Sequence, residues 1–425
     1  MRCPLGKVSV AIACFIIIVV ISVPVHAANW LMMQGTEPGA AAGRAKVWGF
    51  IQPIAEMTKG TEVKAGGKMG EPAAFNMAGP DLKSRGSFNI RRARIGVRGT
   101  GFPLDPKTNY FILAEFGNNG ITHYGGKVAR VTDASVTLSY VKGARVRIGL
   151  FKTPGAEEGL QAIHVFDYIN FSNVTNFLLL ERFVNADGTG AGPVGAFRDI
   201  GVQVFDTFKL TPKGELSYAV MVGNGNGIAG TDNNGAKDLY QYVAYEHVLG
   251  GKGARRQGVK GFLWATQGKR TFDNVQYDRD RAGLGVTFRM QQYRAAFEYI
   301  TADGMIFNGR SGACSTCPLS MLPEDKGSGW YLHLGYQVMP KLELDLRYDT
   351  VDRSTDSDLT TAKNSNRSFT TTTLGAQWFF NKKTRATLNY EIRSAEAPDV
   401  SAGSPPEKIV DGIDNRISLQ LLHIF

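Results

Sequence analysis

Histidine and cysteine are scarce in this chain, and the scarcity excludes most catalytic chemistry. The six histidines include His123, His164, His247, His333 and His423, which are scattered without the spacing of a metal site or a Ser–His–Asp triad. Of the four cysteines, Cys3 and Cys14 lie within the first 27 residues, which leaves Cys314 and Cys317. This Cys-x-x-Cys pair has no second pair, and no His follows Cys317, so a zinc knuckle and a c-type haem attachment both lack ligands. A disulfide between Cys314 and Cys317, stapling a loop at 302–328, is the expected role. No metal, no cofactor and no enzymatic activity are expected. Long apolar runs are also missing after residue 27. The longest cluster, Phe177-Leu-Leu-Leu180, is far short of the ~20 residues a membrane-spanning helix needs. Heptads and internal repeats are absent too, which removes coiled coils and repetitive adhesins.

What is present begins with an export signal. Arg2 and Lys7 form a positive start, an apolar run follows from Val8 to Val25, and Val25-His26-Ala27 supplies small residues for cleavage. The run continues through and beyond Cys14, so a lipid-modified cysteine is not expected. Residues 1–27 therefore read as a signal peptide and 28–45 as a loose leader. Residues 46–425 read as one barrel domain. The net charge of +10 falls to +8 when Arg2 and Lys7 leave. Such a basic balance suits nucleic acid in general, but an exported chain rarely meets it, so no nucleic-acid partner is expected.

The exported part breaks into about sixteen segments of alternating character, each roughly 8–13 residues, the length of tilted membrane strands. They lie near 46–57, 88–100, 108–117, 128–141, 143–152, 197–206, 214–223 and 237–248. The second half continues with 256–267, 280–290, 292–301, 329–338, 340–349, 369–380, 384–393 and 413–425. Their connections alternate in length. Short turns fall at Val141-Lys-Gly143, at Gln291, at Met339-Pro340 and at Asn381-Lys-Lys383. Long ones fall at 58–87, 153–196, 302–328, 350–368 and 394–412. That parity belongs to an outer-membrane barrel with short turns on one side and long loops on the other. The end of the chain agrees: Ile417, Leu419, Leu421, His423 and Phe425 share one face of a last strand that stops on an aromatic. The predicted class is therefore all-β, an antiparallel transmembrane barrel in the outer membrane of a Gram-negative bacterium, in contact with lipid and lipopolysaccharide.

Each strand has one apolar and one charged face. Val146, Ile148 and Leu150 oppose Arg145 and Arg147. Ala282, Leu284 and Val286 oppose Arg281 and Arg289, while Tyr293, Ala295 and Phe297 oppose Arg294 and Glu298. Leu342, Leu344 and Leu346 oppose Glu343, Asp345 and Arg347, and Leu388, Tyr390 and Ile392 oppose Arg385, Glu391 and Arg393. In strand two, Ala93, Ile95 and Val97 oppose Arg92, Arg94 and Arg98, which leaves Arg91 with the wrong parity and an expected place near an interface. An arginine at the membrane midplane costs about 2–4 kcal/mol, so the charged face turns inward. A sixteen-stranded barrel is wide enough for water. A passive pore for small hydrophilic solutes follows, lined by Arg92, Arg94, Arg98, Arg145, Arg147, Arg281, Arg289, Arg294, Arg347, Arg385 and Arg393. The third long connection, 153–196, is too apolar for bulk water and is expected to fold into the lumen and narrow it. Its Glu157, Glu158, Asp167, Glu181 and Arg182 would sit at the constriction, the acids facing the arginines across a transverse field. Anion preference is the expectation. A general or cation-preferring pore and a structural or adhesive barrel without an open channel are the alternatives.

Several stretches resemble the phosphate-selective porins O and P. They are Phe88-Asn-Ile-Arg-Arg-Ala-Arg-Ile-Gly-Val-Arg-Gly99, Arg147-Ile-Gly-Leu-Phe-Lys-Thr-Pro154, Glu181-Arg182 with Arg198-Asp-Ile-Gly-Val202, Leu216-Ser-Tyr218 leading into Gly223-Asn-Gly-Asn-Gly227, and Phe379-Phe-Asn through Leu388-Asn-Tyr-Glu391. The resemblance implies a homotrimer of sixteen-stranded channels with an arginine-lined, phosphate-passing route. Arg92, Arg94, Arg98, Arg145 and Arg147 would supply that route. It departs from the family in the third loop, which holds no lysine between Thr153 and Ala196 and carries more acids than arginines.

Overall fold

The computed structural model describes residues 29–34, 45–58, 64, 69–70, 86–101, 105–123, 128–180, 182–184, 190–194, 197–229, 232, 234–251, 255–272, 274–310, 319–356 and 365–425. The expected signal peptide, Glu181, Cys314 and Cys317 lie outside them.

Sixteen antiparallel strands close into a barrel. In chain order they are β1 (Lys46–Thr58), β2 (Ser87–Gly101), β3 (Asp105–Glu115), β4 (Arg130–Leu138), β5 (Arg145–Lys152), β6 (Arg198–Lys209), β7 (Gly214–Gly223) and β8 (Asp238–Gly250). The second half holds β9 (Gln257–Gln267), β10 (Val275–Met290), β11 (Tyr293–Arg310), β12 (Leu319–Met339), β13 (Leu342–Arg353), β14 (Arg367–Phe379), β15 (Thr384–Glu396) and β16 (Arg416–Ile424). A short strand, Lys269–Phe272, pairs with the tip of β10 and does not add to the ring. Closure is made by β1 against β16, from Phe50↔Ile424 to Thr58↔Arg416. A sheet in hydrocarbon has no water to satisfy its edges, so only the closed form is stable there.

The seam depends on glycine. Phe425 N–H donates to the Gly49 carbonyl at 3.0 Å, and Gly49 N–H donates back at 3.3 Å. A Cβ on Gly49 would stand 2.4 Å from both the Phe425 ring and the Arg94 carbonyl oxygen. The terminal aromatic lies in the space that a side chain would fill.

The alternation read from the sequence appears as an inverted burial pattern. On β13, Glu343, Asp345, Arg347 and Asp349 are buried, while Leu344, Leu346 and Tyr348 are exposed. Every strand ends at the expected side, so the short connections share the end where β1 begins and β16 stops, and the long ones share the other end. Two stretches differ from expectation. The connection expected at 302–328 is mostly strand, because β11 and β12 remain paired out to Arg310↔Leu319. Ile306, fully buried there, packs into the interior cluster that contains Phe177 and Leu178, and this tertiary contact overrides a local sequence rich in Gly and Asp. The supposed loose leader contains a helical turn, Trp30–Met33, with Trp30 and Leu31 buried in the same cluster.

Candidate functional site

A bulge decides the first arginine group. Pro53 has no N–H for the ladder, and the β1–β2 register shifts there, with Gln52 opposite Arg92 and Pro53 opposite Ile90. An unpaired extra residue is how a bulge re-aims side chains. Arg91 is that residue, and both Arg91 and Arg92 are buried on the inner face. Arg91 is therefore not at an interface, and Glu56, Arg416 and Glu391 are its charged neighbours.

Around this bulge the strands β2 to β6 bring cations together. Arg94 Nε donates to Glu115 Oε2 at 2.6 Å and Arg198 Nη2 donates to Asp133 Oδ2 at 3.0 Å. Among the described residues, Arg92 and Lys152 have no carboxylate partner of this kind. Arg92 Nη1 donates to Gln52 Oε1 at 3.2 Å, and Lys152 Nζ donates to the carbonyls of Gly159 and Gln161, each at 2.7 Å. All four cations line one cavity of about 20 Å³, together with Ile163 and Phe171. Arg98, half-buried, lies farther along the same face of β2 toward the short-turn end. Arg147 is buried under the Phe205 ring, 4.4 Å from its centroid, with Nε on Thr137 Oγ1 at 3.1 Å. Arg145 pairs with Asp206 at the short-turn end.

The third long connection bonds to inward side chains of the barrel at several points. Its first described stretch, 153–180, is held by side chains from strands far apart in the barrel. Arg281 Nε donates to the Leu178 carbonyl at 2.6 Å and Nη2 to the Met305 carbonyl at 2.5 Å. Arg385 Nη2 donates to the Phe166 carbonyl at 2.7 Å, and Arg347 Nη1 to the Asn170 carbonyl at 2.6 Å. Asp349 accepts from Asn173 N–H at 2.7 Å and Asn389 from Ile169 N–H at 2.8 Å. A second cavity, about 60 Å³, lies between this segment and the wall from β6 to β10, where Arg198, Arg270, Arg279 and Arg281 meet Tyr240 and Trp264.

The acids of the segment do not face Arg92 and Arg94. Glu157 Oε1 accepts from Trp30 Nε1 at 3.0 Å and Oε2 from Lys260 Nζ at 2.5 Å. Glu158 accepts from Ser172 N–H and Oγ at 3.0 and 2.7 Å, with Arg347 Nη1 3.9 Å away. Asp167 lies 3.2 Å from Arg294 Nε and 3.4 Å from Arg255 Nη2. Burial pushes the Asp167 carboxyl up, but Arg294, then Arg255, outweigh it and hold the group well below the usual carboxylate range. Around it Glu343 meets Arg294 at 3.1 Å and Arg255 at 2.8 Å. Arg347 meets Asp349 at 3.0 Å, and Arg416 Nη2 meets Glu391 at 2.9 Å. Arg289 has Asp167, Arg255 and Arg294 as its charged neighbours, while Arg393 Nε donates to the Asp414 carbonyl at 2.7 Å. On this side Asp167, Glu343, Asp349 and Glu391 each meet an arginine. Arg182 is on a short strand, Arg182–Val184, whose partner is Gly190–Val194.

The eleven arginines expected to act alike thus fall into different settings. Arg92 and Arg94 stand in a cation-rich group, while Arg281, Arg294, Arg347 and Arg385 clamp the segment. Lys152, Arg198, Arg270 and Arg279 were not singled out in the sequence. Lys152 and Arg198 end strands on either side of the longest connection, and that position was the available signal.

Among known proteins, the family model for Gram-negative porins matches residues 40–395. The fold is shared with the outer membrane channel DcaP of Acinetobacter baumannii, at 14% identity, covering 92% of this chain and 100% of that one, with a TM-score of 0.55. It is shared with an anion-selective porin from Comamonas acidovorans at 15% identity, 90% and 99% coverage and a TM-score of 0.54. A Salmonella typhi OmpF in complex with daunomycin matches at 14% identity, 90% and 97% coverage and 0.55. No curated protein matches.

Proposed function

The chain belongs to the Gram-negative porin family, and from that premise we propose that this outer-membrane channel prefers anions. The observation that carries the reading is the uneven charge on the two sides of the crossing segment. Arg92, Arg94, Lys152 and Arg198 share one cavity, where Glu115 pairs with Arg94 and Asp133 with Arg198. On the opposite side Asp167, Glu343, Asp349 and Glu391 each pair with an arginine. Segment 153–180 is the constriction in this reading. Its hydrogen bonds to inward side chains of β10, β13 and β15 support that assignment. A small anion passing Arg92 and Lys152 exchanges part of its hydration for guanidinium and ammonium N–H groups, and no bond is made or broken.

Phosphate is one solute of this class. Arg92, Arg94, Arg98, Arg145 and Arg147 were expected to form its route, and of these Arg92 and Arg94 belong to the cation-rich group. Assembly as a homotrimer is part of the same proposal, and one of the structurally similar proteins, Vibrio cholerae OmpT, is described in a trimer form. The deciding measurement is the zero-current potential of the purified protein in a planar bilayer under a salt gradient, with and without phosphate. An anion-selective potential, with chloride current reduced by phosphate, is the expected result. Cation selectivity would overturn the anion reading and leave the channel.

A further inference from the structure

The residues just before the barrel are neither loose nor outside it, and the porin reading above gives them no task. Asn29 Nδ2 donates to Thr207 Oγ1 at 2.9 Å and also contacts Ser217 Oγ, both inward side chains near the short-turn end of β6 and β7. Its own Oδ1 caps the turn by accepting from Leu31 N–H at 3.2 Å. Trp30, 7% exposed, and Leu31, 2% exposed, belong to an interior cluster with Phe205, Tyr242, Phe262 and Trp264. Arg147 on β5 donates to the carbonyls of Leu31 and Gln34. Two contacts reach up to the crossing segment. Trp30 Nε1 donates to Glu157 Oε1 at 3.0 Å, and Gln34 Nε2 lies 3.5 Å from the Leu160 carbonyl oxygen.

We propose that residues 29–34 form a second constriction, set against the β5–β9 wall on the short-turn side of segment 153–180, and that Trp30 sets the solute size limit by filling this half of the lumen and pinning Glu157. An indole and a leucine side chain buried inside a barrel displace water that would otherwise carry solute. A lumenal side chain tunes passage in a way a lipid-facing one cannot. Because Glu157 also holds Lys260 at 2.5 Å, the turn, the segment and β9 form one linked unit. Solute crossing the pore is thereby steered toward the side of Arg92 and Arg94, away from the wall that Trp30 covers. This inference rests on the porin reading, since a size limit has meaning only in an open channel.

The test is single-channel conductance in planar bilayers together with sugar-uptake swelling of proteoliposomes, using the full chain. Trp30→Ala is expected to raise conductance about twofold and to admit larger sugars. Trp30→Phe, which keeps a ring but loses the N–H to Glu157, is expected to conduct close to the parent level with larger current fluctuations. If Trp30→Ala does not assemble, Asn29→Cys with Ser217→Cys, in a background of Cys314→Ser and Cys317→Ser, serves instead. Its oxidative cross-link is expected to form, and reduction should leave conductance unchanged or raise it. A parent channel that conducts, with Trp30→Ala giving the same conductance and sugar limit, overturns the constriction and spares the channel; absence of the cross-link does the same. Silence from the parent and from every assembled variant overturns the porin reading itself. A silent parent with a conducting Trp30→Ala supports the inference in its strongest form, a closed plug.

Discussion

Among the described residues, Arg92 and Lys152 are the cations of the cavity they share with Arg94 and Arg198 that lack a carboxylate, and replacing both with glutamine isolates their effect. Arg94 keeps Glu115 and Arg198 keeps Asp133 in that variant, so no buried carboxylate loses its salt bridge. Two net charges acting at about 8 Å through water give about 1 kcal/mol, and screening at 0.1 M salt halves this to about 0.5 kcal/mol. The same field attracts anions and repels cations, so the permeability ratio is about 5. Under a tenfold potassium chloride gradient this corresponds to a zero-current potential of about 30 mV in the anion-selective sense. In the double variant the net charge near the path vanishes, and the potential should fall to within about 5 mV of zero. The assay is the reversal potential of reconstituted protein, with heat-modifiable gel mobility to establish folding. A folded double variant that keeps its full potential would refute the electrostatic account. The field would then have to arise elsewhere in the lumen.

Other expectations follow from the same contacts. Gly49→Ala places a methyl against the Arg94 carbonyl and the Phe425 ring. This overpacking should cost about 1–3 kcal/mol and appear as less heat-modifiable protein in the outer membrane, whereas a normal yield would show that the seam can relax. Arg347→Ala strips the guanidinium from buried Asp349 and should lower stability by about 3–5 kcal/mol, read as the temperature at which the barrel unfolds on gels. Burial, then the positive charges of Lys152 and Arg385, push the His164 imidazole down to about 3, so the ring stays neutral from pH 5 to 8. The reversal potential of a His164→Gln variant should match the parent throughout that range. Linkage has a definite sign here: the unfolded chain binds this proton first, so the group costs stability increasingly as pH falls below about 6.5. His164→Gln should consequently flatten the acid side of the unfolding profile, and an unaltered profile would count against a neutral His164.

Much of the barrel was legible because a strand has period two and a membrane protein exposes its apolar face. Leu344, Leu346 and Tyr348 against Glu343, Asp345 and Arg347 needed no more than that. Connection lengths then gave the two ends. Register was harder. The shift at Pro53 turns Arg91 inward, and only a proline in an interior-looking strand hinted at it. The long β11–β12 hairpin was hidden because Ile306 is held there by an interior cluster with Phe177 and Leu178, contacts more than a hundred residues away in sequence. Residues 29–34 read as part of a loose leader because their apolar run, Trp30 to Met33, is only four residues long and too short to mark an element. In the site, the cationic residues were easy to see but their partners were not. Glu157, Glu158 and Asp167 were expected to face the inward arginines; Asp167 meets Arg294 and Glu158 lies near Arg347, while Glu157 takes Lys260 and Trp30 instead. Pairing in a lumen depends on which wall a loop crosses, and no local pattern encodes that.

The seam between β1 and β16 also dictates an order of events in folding. Ser418 Oγ reaches Glu56 Oε1 at 3.0 Å across a sequence separation of 362 residues, and Arg416 stands 3.5 Å from the same Glu56. Closing a free loop of that length would cost about 5 kcal/mol of chain entropy. Zipping one hairpin after another shortens the open distance to the gap between two neighbouring edges. Closure is therefore the last step, and until it occurs β1 and β16 are both open templates for any other strand. Errors at Gly49, Glu56 or Arg416 would accordingly surface as misjoined or aggregated intermediates. The finished barrel, once sealed, would carry little trace of them.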